Sequence, residues 1–584
     1  MKAITSLVSG LLLSAMLLLP TSVRAAELQP FFTLKTSSIN TLVSVAERFA
    51  GMAGTADAAE FRDIVNTARN IRGVDPNGIF GVAAVADDTG GISAIVLLPI
   101  TDLWRAEIPG HPEVFDSIRP FLVRRGENRF DIMSPIGTYV AFQRQSYLVI
   151  TPEGFADRIP ADARTLFADL EQYTLGYKLD LEKVEFETLE STLFGPLLLM
   201  TMMQTPAMAT QLENIFEIYR ELYNEFAVVA GGIAINPQTA DVELSGFAVT
   251  REGSEFGRSF AGYRRLPTIF SGFRGTSDNT VFSFGDSSSQ PQVADSTMME
   301  LNKQQWEAIL EGFLDQIAME DESGELVELA ESAIESIRNI FEAETRRGGL
   351  DFALSLNADG TLLFAFDTVS LAEIQKLAEL AAAFATKNAS EEARALMADN
   401  LNQGYATVEG FRVSRVQIPV IATVELFAGP APDDVAALRD LTLGVYWAVK
   451  EGDKQAIAVA IGLDSAKAEQ TFKAALAQTR TAVPVQRPNG VFSLAGLGKL
   501  LQQTVYPIVV KTDPPANELA TFRQVAEIFA SAGSGATITV DGEVTSNRMS
   551  VAYRISGRAI ETIISVVRLS IEQDFGGRPV IQAF

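Results

Sequence analysis

One histidine and no cysteine among 584 residues remove most of the usual bases, nucleophiles and soft metal ligands from this chain. His111 lies in Pro109-Gly110-His111-Pro112. It cannot build a His-based zinc site alone, and only carboxylates remain to help it. As the base of a Ser-His-Asp set it would need a nucleophile elbow, yet the sequence holds no G-x-S-x-G. Its Pro/Gly surroundings read as a loop. Gly496-Leu497-Gly498-Lys499 has two features of a phosphate loop, but the preceding glycine is missing and Leu500 stands where Ser or Thr must hold magnesium. Gly533-Ser534-Gly535 precedes a strand, whereas phosphate-binding glycines open a helix. Both glycine stretches are therefore expected to be turns.

The acidic residues number 73. Glu320-Asp321-Glu322 lacks the alternating oxygen spacing of a calcium loop and reads as a solvated bend. Asp87-Asp88, Asp359 and Asp541 are turn residues, a position Asp favours because its side chain bonds nearby backbone. A pair of distant carboxylates for glycoside hydrolysis leaves no local signature. The strongest binding candidate is apolar: Leu193, Phe194, Leu197, Leu198, Met200, Met202 and Met203, in an apolar stretch divided by Pro196 and Pro206. Methionine-rich surfaces adapt to varied apolar partners. Core packing is the commoner fate of such a run, which is too short to span a bilayer. No residue is assigned to catalysis, to a cofactor or to a metal.

The elements that would position any site repeat. Leu350 to Ala385 places Phe352, Leu354 and Leu356 on one strand face, turns at Asp359-Gly360, then places Leu362, Phe364 and Phe366 on another. Ser370 three residues before Glu373 predicts a capping box and a helix. Similar strand-turn-strand units run over Gly81 to Asp102, Val229 to Phe260, Thr442 to Leu476 and Ala536 to Leu569. In the last, Met549, Val551, Tyr553 and Ile555 alternate with Ser550, Ala552, Arg554 and Ser556. Their irregular spacing excludes a solenoid. The expected fold is α+β: two related halves, each an antiparallel sheet of strand-turn-strand-helix units with helices packed on one face. The expected divisions are residues 1–26 (signal peptide), 27–275, a Ser-rich linker at 276–301 around Ser287-Ser288-Ser289-Gln290-Pro291, and 302–584.

Met1 to Ala26 has a basic start at Lys2, an apolar stretch from Ile4 to Leu19 and a Val23-Arg24-Ala25 cleavage pattern. Export to the periplasm or the cell surface follows, with no transmembrane segment after cleavage. The net charge is −26. Such a field repels phosphate backbones and sets nucleic acid aside as a partner. Hydrophobic residues at 47% and charged residues at 21% describe an ordinary globular chain.

FRVSRVQIPV (Phe411 to Val420), LTLGVYWAVKEGDKQAIAVAIGLDSAKAEQTFKAAL after it, the closing ITVDGEVTSNRMSVAYRISGRAI and the early GISAIVLLPITD together resemble a family of uncharacterised secreted proteins common in planctomycetes. The resemblance implies a duplicated α+β architecture and export, and carries no catalytic residues with it. The expected role is a non-enzymatic envelope protein that binds an apolar ligand or an envelope partner. A self-assembling structural component and a carboxylate-dependent hydrolase are the alternatives.

Overall fold

The computed structural model describes residues 29–574 except 56–57, 87–91, 103–104, 110–121, 127–128, 135–136, 191–218, 276–278, 290–306, 308–309, 311, 313, 315–324, 389–399, 421–440, 453 and 512–513. The Met1 to Ala26 segment, His111, the Leu193 to Met203 candidate and Glu320 to Glu322 lie outside the described residues. Among the described residues helix and strand are mixed, and the strand pairings within each unit are antiparallel. Two compact units emerge: Met1–Gly257 with Asn547–Gly557, and Arg258–Ser546 with Arg558–Phe584.

The first unit contains β1 (Phe32–Thr36), β2 (Phe80–Ala86), β3 (Ile92–Leu98), β4 (Leu122–Arg124), β5 (Arg129–Ser134), β6 (Gly137–Arg144), β7 (Tyr147–Pro152), β8 (Leu175–Asp180), β9 (Phe226–Ile235) and β10 (Val242–Thr250). The second contains β11 (Arg264–Arg265), β12 (Thr280–Ser289), β13 (Gly349–Asn357), β14 (Leu362–Thr368), β15 (Asn402–Val408), β16 (Phe411–Pro419), β17 (Thr442–Lys450), β18 (Gln455–Gly462), β19 (Gly490–Ser493) and β20 (Thr537–Val544). One more strand, β21 (Arg548–Ile555), belongs to the first unit although it lies near the end of the chain.

In the first unit the strands pair in the order β21-β10-β9-β8-β1-β2-β3-β7-β6-β5-β4. In the second they pair as β20-β19-β12-β13-β14-β18-β17-β16-β15, with β11 also against β12. The core of the first unit joins Ala83, Ile95, Leu97, Val140 and Val149 on the sheet to Phe155 and Phe167. Those two phenylalanines come from 3-10 turns, Glu153–Arg158 and Ala163–Leu170. In the second unit Ala353, Leu363, Ala365, Ala448, Ala458 and Ala460 pack beneath Phe270, Phe273, Phe472 and Leu476. Phe472 and Leu476 belong to α1 (Ser465–Ala477), started by Asp464, whose carboxylate accepts from the Lys467 backbone N–H at 3.1 Å.

Several expectations are corrected. The Ser-rich stretch is not all linker: Thr280–Ser289 is a strand paired along β13, and Ser287 is buried. A strand needs backbone partners more than bulky side chains, so serine content misled. The compact units divide at Gly257, not at 275, and residues 547–557 join the first of them. The capping box is not made: the Ser370 hydroxyl and Glu373 Oε2 have no hydrogen-bond partner, while the Ser370 N–H donates to the Thr368 hydroxyl at 2.9 Å. The helix begins at Leu371 all the same. Gly496 and Gly498 sit in a helix, Leu494–Leu500, and not in a turn. A Cβ at either would overlap backbone, of Thr280 and of Ala530 respectively, so these glycines serve close helix packing.

Candidate functional site

Directly paired residues of a sheet share a face, and so do alternate residues along each strand. Applied to β21, β10, β9 and β8, that rule places three rows side by side. One row is Tyr553–Leu244–Ile233–Leu175, the next is Val551–Gly246–Gly231–Tyr177, and the third is Met549–Ala248–Val229–Leu179. None of the twelve carries a formal charge at neutral pH. The middle row holds two adjacent glycines flanked by Val551 and Tyr177; a Cβ at Gly246 would meet only neighbouring backbone, while one at Gly231 would touch the Tyr177 ring at 3.5 Å, so the sheet surface is low over Gly246 and forms a trough bordered by Tyr177.

The walls of this trough face solvent. Leu175, Tyr177, Leu244, Met549, Val551 and Tyr553 are 38–48% exposed. At one end the rows close over: Leu179, Val229 and Ala248 pack with Leu181, Val184, Leu189, Phe226 and Phe256. Phe226 stacks on Phe256 with ring centroids 5.4 Å apart. A register shift between Val249 and Thr250 marks where β9 and β10 stop running in step.

The opposite face of the same strands carries their charged residues, set among apolar ones such as Phe247, Ala230 and Val228. Arg554 Nε lies 2.7 Å from Glu243 Oε2, Arg548 stacks 3.8 Å above the Phe247 ring, and Lys178 pairs with Asp169. Lys35, buried on neighbouring β1, donates to the carbonyls of Leu170, Glu171 and Tyr173 at 3.0, 3.3 and 2.7 Å. Burial lowers the Lys35 pKa, and the Glu171 charge partly offsets that. Its three donors cap the carbonyl end of a 3-10 turn, which is a fastening role. The strands thus turn their charged groups to one side and leave an apolar side uncovered.

Two other polar clusters, both in the second unit, are internally satisfied fastenings. Glu469 on α1 accepts from Lys473 Nζ at 2.6 Å, Tyr405 Oη at 3.0 Å and Arg415 Nη1 at 3.2 Å. Burial works against its ionised form, but these donors prevail and its pKa lies below the ordinary value. The buried Arg274 donates to the carbonyls of Gln486, Pro488 and Asn489 at 2.6, 2.8 and 2.9 Å. As for paired carboxylates, Asp351 is the buried cross-strand neighbour of Asp367, whose Oδ1 accepts from Arg347 at 3.1 Å and from the Asp351 N–H at 2.8 Å. Among the described residues, no group of three or more acidic or histidine side chains is placed to hold a metal ion, and no helix is long and apolar enough to cross a membrane.

Sequence reasoning identified the alternation in β21 and in Val242 and Leu244, but not that these strands pair. Glu243 and Arg554 meet from 311 residues apart. The available signal was Gly231-Gly232 facing Gly246 in two otherwise apolar strands, since glycine within a strand marks a close approach or a bare surface. No protein-family model matches this chain, and neither a curated protein nor a solved structure does.

Proposed function

We propose that this protein is an exported, non-enzymatic binding protein of the cell envelope that holds an uncharged apolar molecule in the trough of β8, β9, β10 and β21. The observation that carries the reading is the Val551–Gly246–Gly231–Tyr177 row, a charge-free hollow with exposed apolar walls. Single exposed apolar side chains are ordinary, whereas six gathered on one stretch of sheet offer an apolar occupant several contacts at once. Size favours a small molecule over a second copy of the chain. Three strand spacings by four residues is roughly 14 by 14 Å, or about 200 Å², whereas a stable protein interface needs about 800 Å² per partner.

Binding of the uncharged dye Nile red, followed by fluorescence titration, tests this. Gly246→Val puts a branched side chain into the hollow and is expected to weaken the dye at least about tenfold, the loss of one well-packed contact set. Ser245→Val, on the opposite face, leaves affinity unchanged. Equal affinity in Gly246→Val and the unaltered chain removes the trough from the reading. Mass spectrometry of an organic extract of the native protein then identifies what the trough carries.

Export rests on the Met1 to Ala26 pattern, which agrees with the resemblance to secreted planctomycete proteins. Amino-terminal sequencing of protein from its host checks it, with a start near Glu27 expected. We also read the chain as a duplicated module. What supports this is that the pairing order β9-β8-β1-β2-β3-β7-β6-β5-β4 of the first unit has the same chain-order steps as β20-β19-β12-β13-β14-β18-β17-β16-β15 of the second.

A further inference from the structure

In a chain whose net charge is −26, the β4–β7 end of the first unit's sheet gathers arginine. Arg125, Arg129 and Arg144 share one face there. The Arg125 N–H donates to the Arg129 carbonyl at 2.9 Å across the β4–β5 turn, Arg129 pairs directly with Phe142, and Arg144 stands two residues along β6. Two carboxylates answer the three cations. Arg125 pairs with Asp131 and lies 3.4 Å from Glu153, and Arg129 reaches the same Glu153 oxygen, also at 3.4 Å. Arg144 makes no hydrogen bond or ion pair among the described residues, and its guanidinium carbon sits 5.5 Å from the centre of the Phe142 ring. Asp157 and Arg158, on the turn that carries Phe155, add one charge of each sign.

Both arginines beside Phe142 are held by their stems. Arg129 Nε and Arg144 Nε are closed off from water and unbonded, so each side chain is packed as far as Nε and turns its two terminal nitrogens outward. Such a fork offers two parallel N–H bonds, the geometry that a carboxylate or a phosphate accepts. Diagonal neighbours on paired strands stand about 7–8 Å apart, within reach of two long side chains. Like charges so placed repel each other unless an anion stands between them. Salt screens the rest of the acidic chain beyond about 8 Å, so the nearby guanidiniums decide the local field.

We infer that Arg129 and Arg144 hold a small oxyanion, a phosphate or a carboxylate, beside the Phe142 ring. The site is separate from the trough. Register carries the Tyr177 row of the trough through Leu34, Val82, Val96 and Ile150 to Ala141, which faces the other way from Phe142.

Equilibrium dialysis of the full chain tests this, against radiolabelled inorganic phosphate and separately against radiolabelled acetate, at fixed ionic strength. Saturable binding of one equivalent of at least one of the two anions is expected. Arg144→Gln should weaken it at least about tenfold. Arg124 pairs with Phe130 on the opposite face and donates to the Gly126 carbonyl at 3.0 Å, so Arg124→Gln removes the same charge and should leave binding within about twofold. Glu153→Gln should tighten binding, because it frees Arg129 from a competing carboxylate. Arg144→Lys keeps the charge without the fork and should bind more weakly than the unaltered chain. If Arg144→Gln does not fold, those last two variants decide. Absence of saturable binding by both anions overturns the inference. So does an equal loss in Arg124→Gln and Arg144→Gln, which would mean diffuse attraction, or weaker binding in Glu153→Gln.

Discussion

Two four-stranded stretches of this chain alternate with the same period and end differently. In β13-β14-β18-β17 of the second unit, Ala353, Leu363, Ala365, Ala448, Ala458 and Ala460 are sealed beneath Phe273, Phe472 and Leu476. In β8-β9-β10-β21 of the first, Leu175, Leu244 and Tyr553 lie bare. Within the sealed stretch the large side chains Phe352, Leu354, Phe364 and Phe366 are only half-buried, and the alanine side is the one fully closed. Alanines let the covering phenylalanines and α1 come close, and close packing excludes water more completely than bulk does. Apolar alternation therefore marks a face that favours cover. Whether cover arrives depends on the segment that follows the strands.

Breaking the sealed side should have the largest effect. Phe472→Ala removes a fully buried ring touching both Phe273 and Tyr446, with centroids 6.1 and 6.3 Å away. It is expected to cost about 3–5 kcal/mol in urea unfolding, the range for such cavities. A loss under about 1 kcal/mol would mean that the ring is not part of a closed core.

A second test probes how dry the sealed stretch is at its β13 end. Burial pushes the Asp351 carboxyl up to about 6, against the opposing hydrogen bonds from Thr268 and the Ile269 N–H, with the Asp367 charge adding to the rise. Between its ordinary value near 3.9 and about 6, the folded chain holds a proton that the unfolded chain has released. Stability is therefore greatest below that window and falls as pH rises through it, by up to about 3 kcal/mol. Asp351→Asn should flatten this part of the stability–pH curve in urea melts from pH 3.5 to 7.5. An unchanged slope would place the carboxyl in contact with water.

The smallest change in stability belongs to the bare side. Leu244→Asn should alter unfolding free energy by no more than about 0.5 kcal/mol, as exposed positions do, yet weaken Nile red several-fold. A cost above about 2 kcal/mol would show that Leu244 is covered, and the contrast between the two stretches would close.

Much of this was legible in the residues. Met549 to Ile555 announced a strand by alternation, and the Asp359-Gly360 turn is formed with Gly360 at φ 80° and Asp359 Oδ1 accepting from Thr361. Pro419 ends β16 as expected. The apolar binding candidate Leu193 to Met203 is outside the described residues, and the trough is built by other residues. Its parts were visible singly, in Gly231, Gly246 and Val551, but no local signal says that β10 lies against β21.

Alternation, turns and the absence of thiols follow from side-chain type and near-neighbour sterics, so the order of residues settles them: an antiparallel α+β chain without metal-binding cysteines. Which faces are sealed, which glycines stand opposite each other, and which strand crosses to the other unit depend on contacts between residues hundreds apart. Such contacts form only when the whole sheet assembles, because backbone pairing is nearly indifferent to sequence and the packing above each face selects the register.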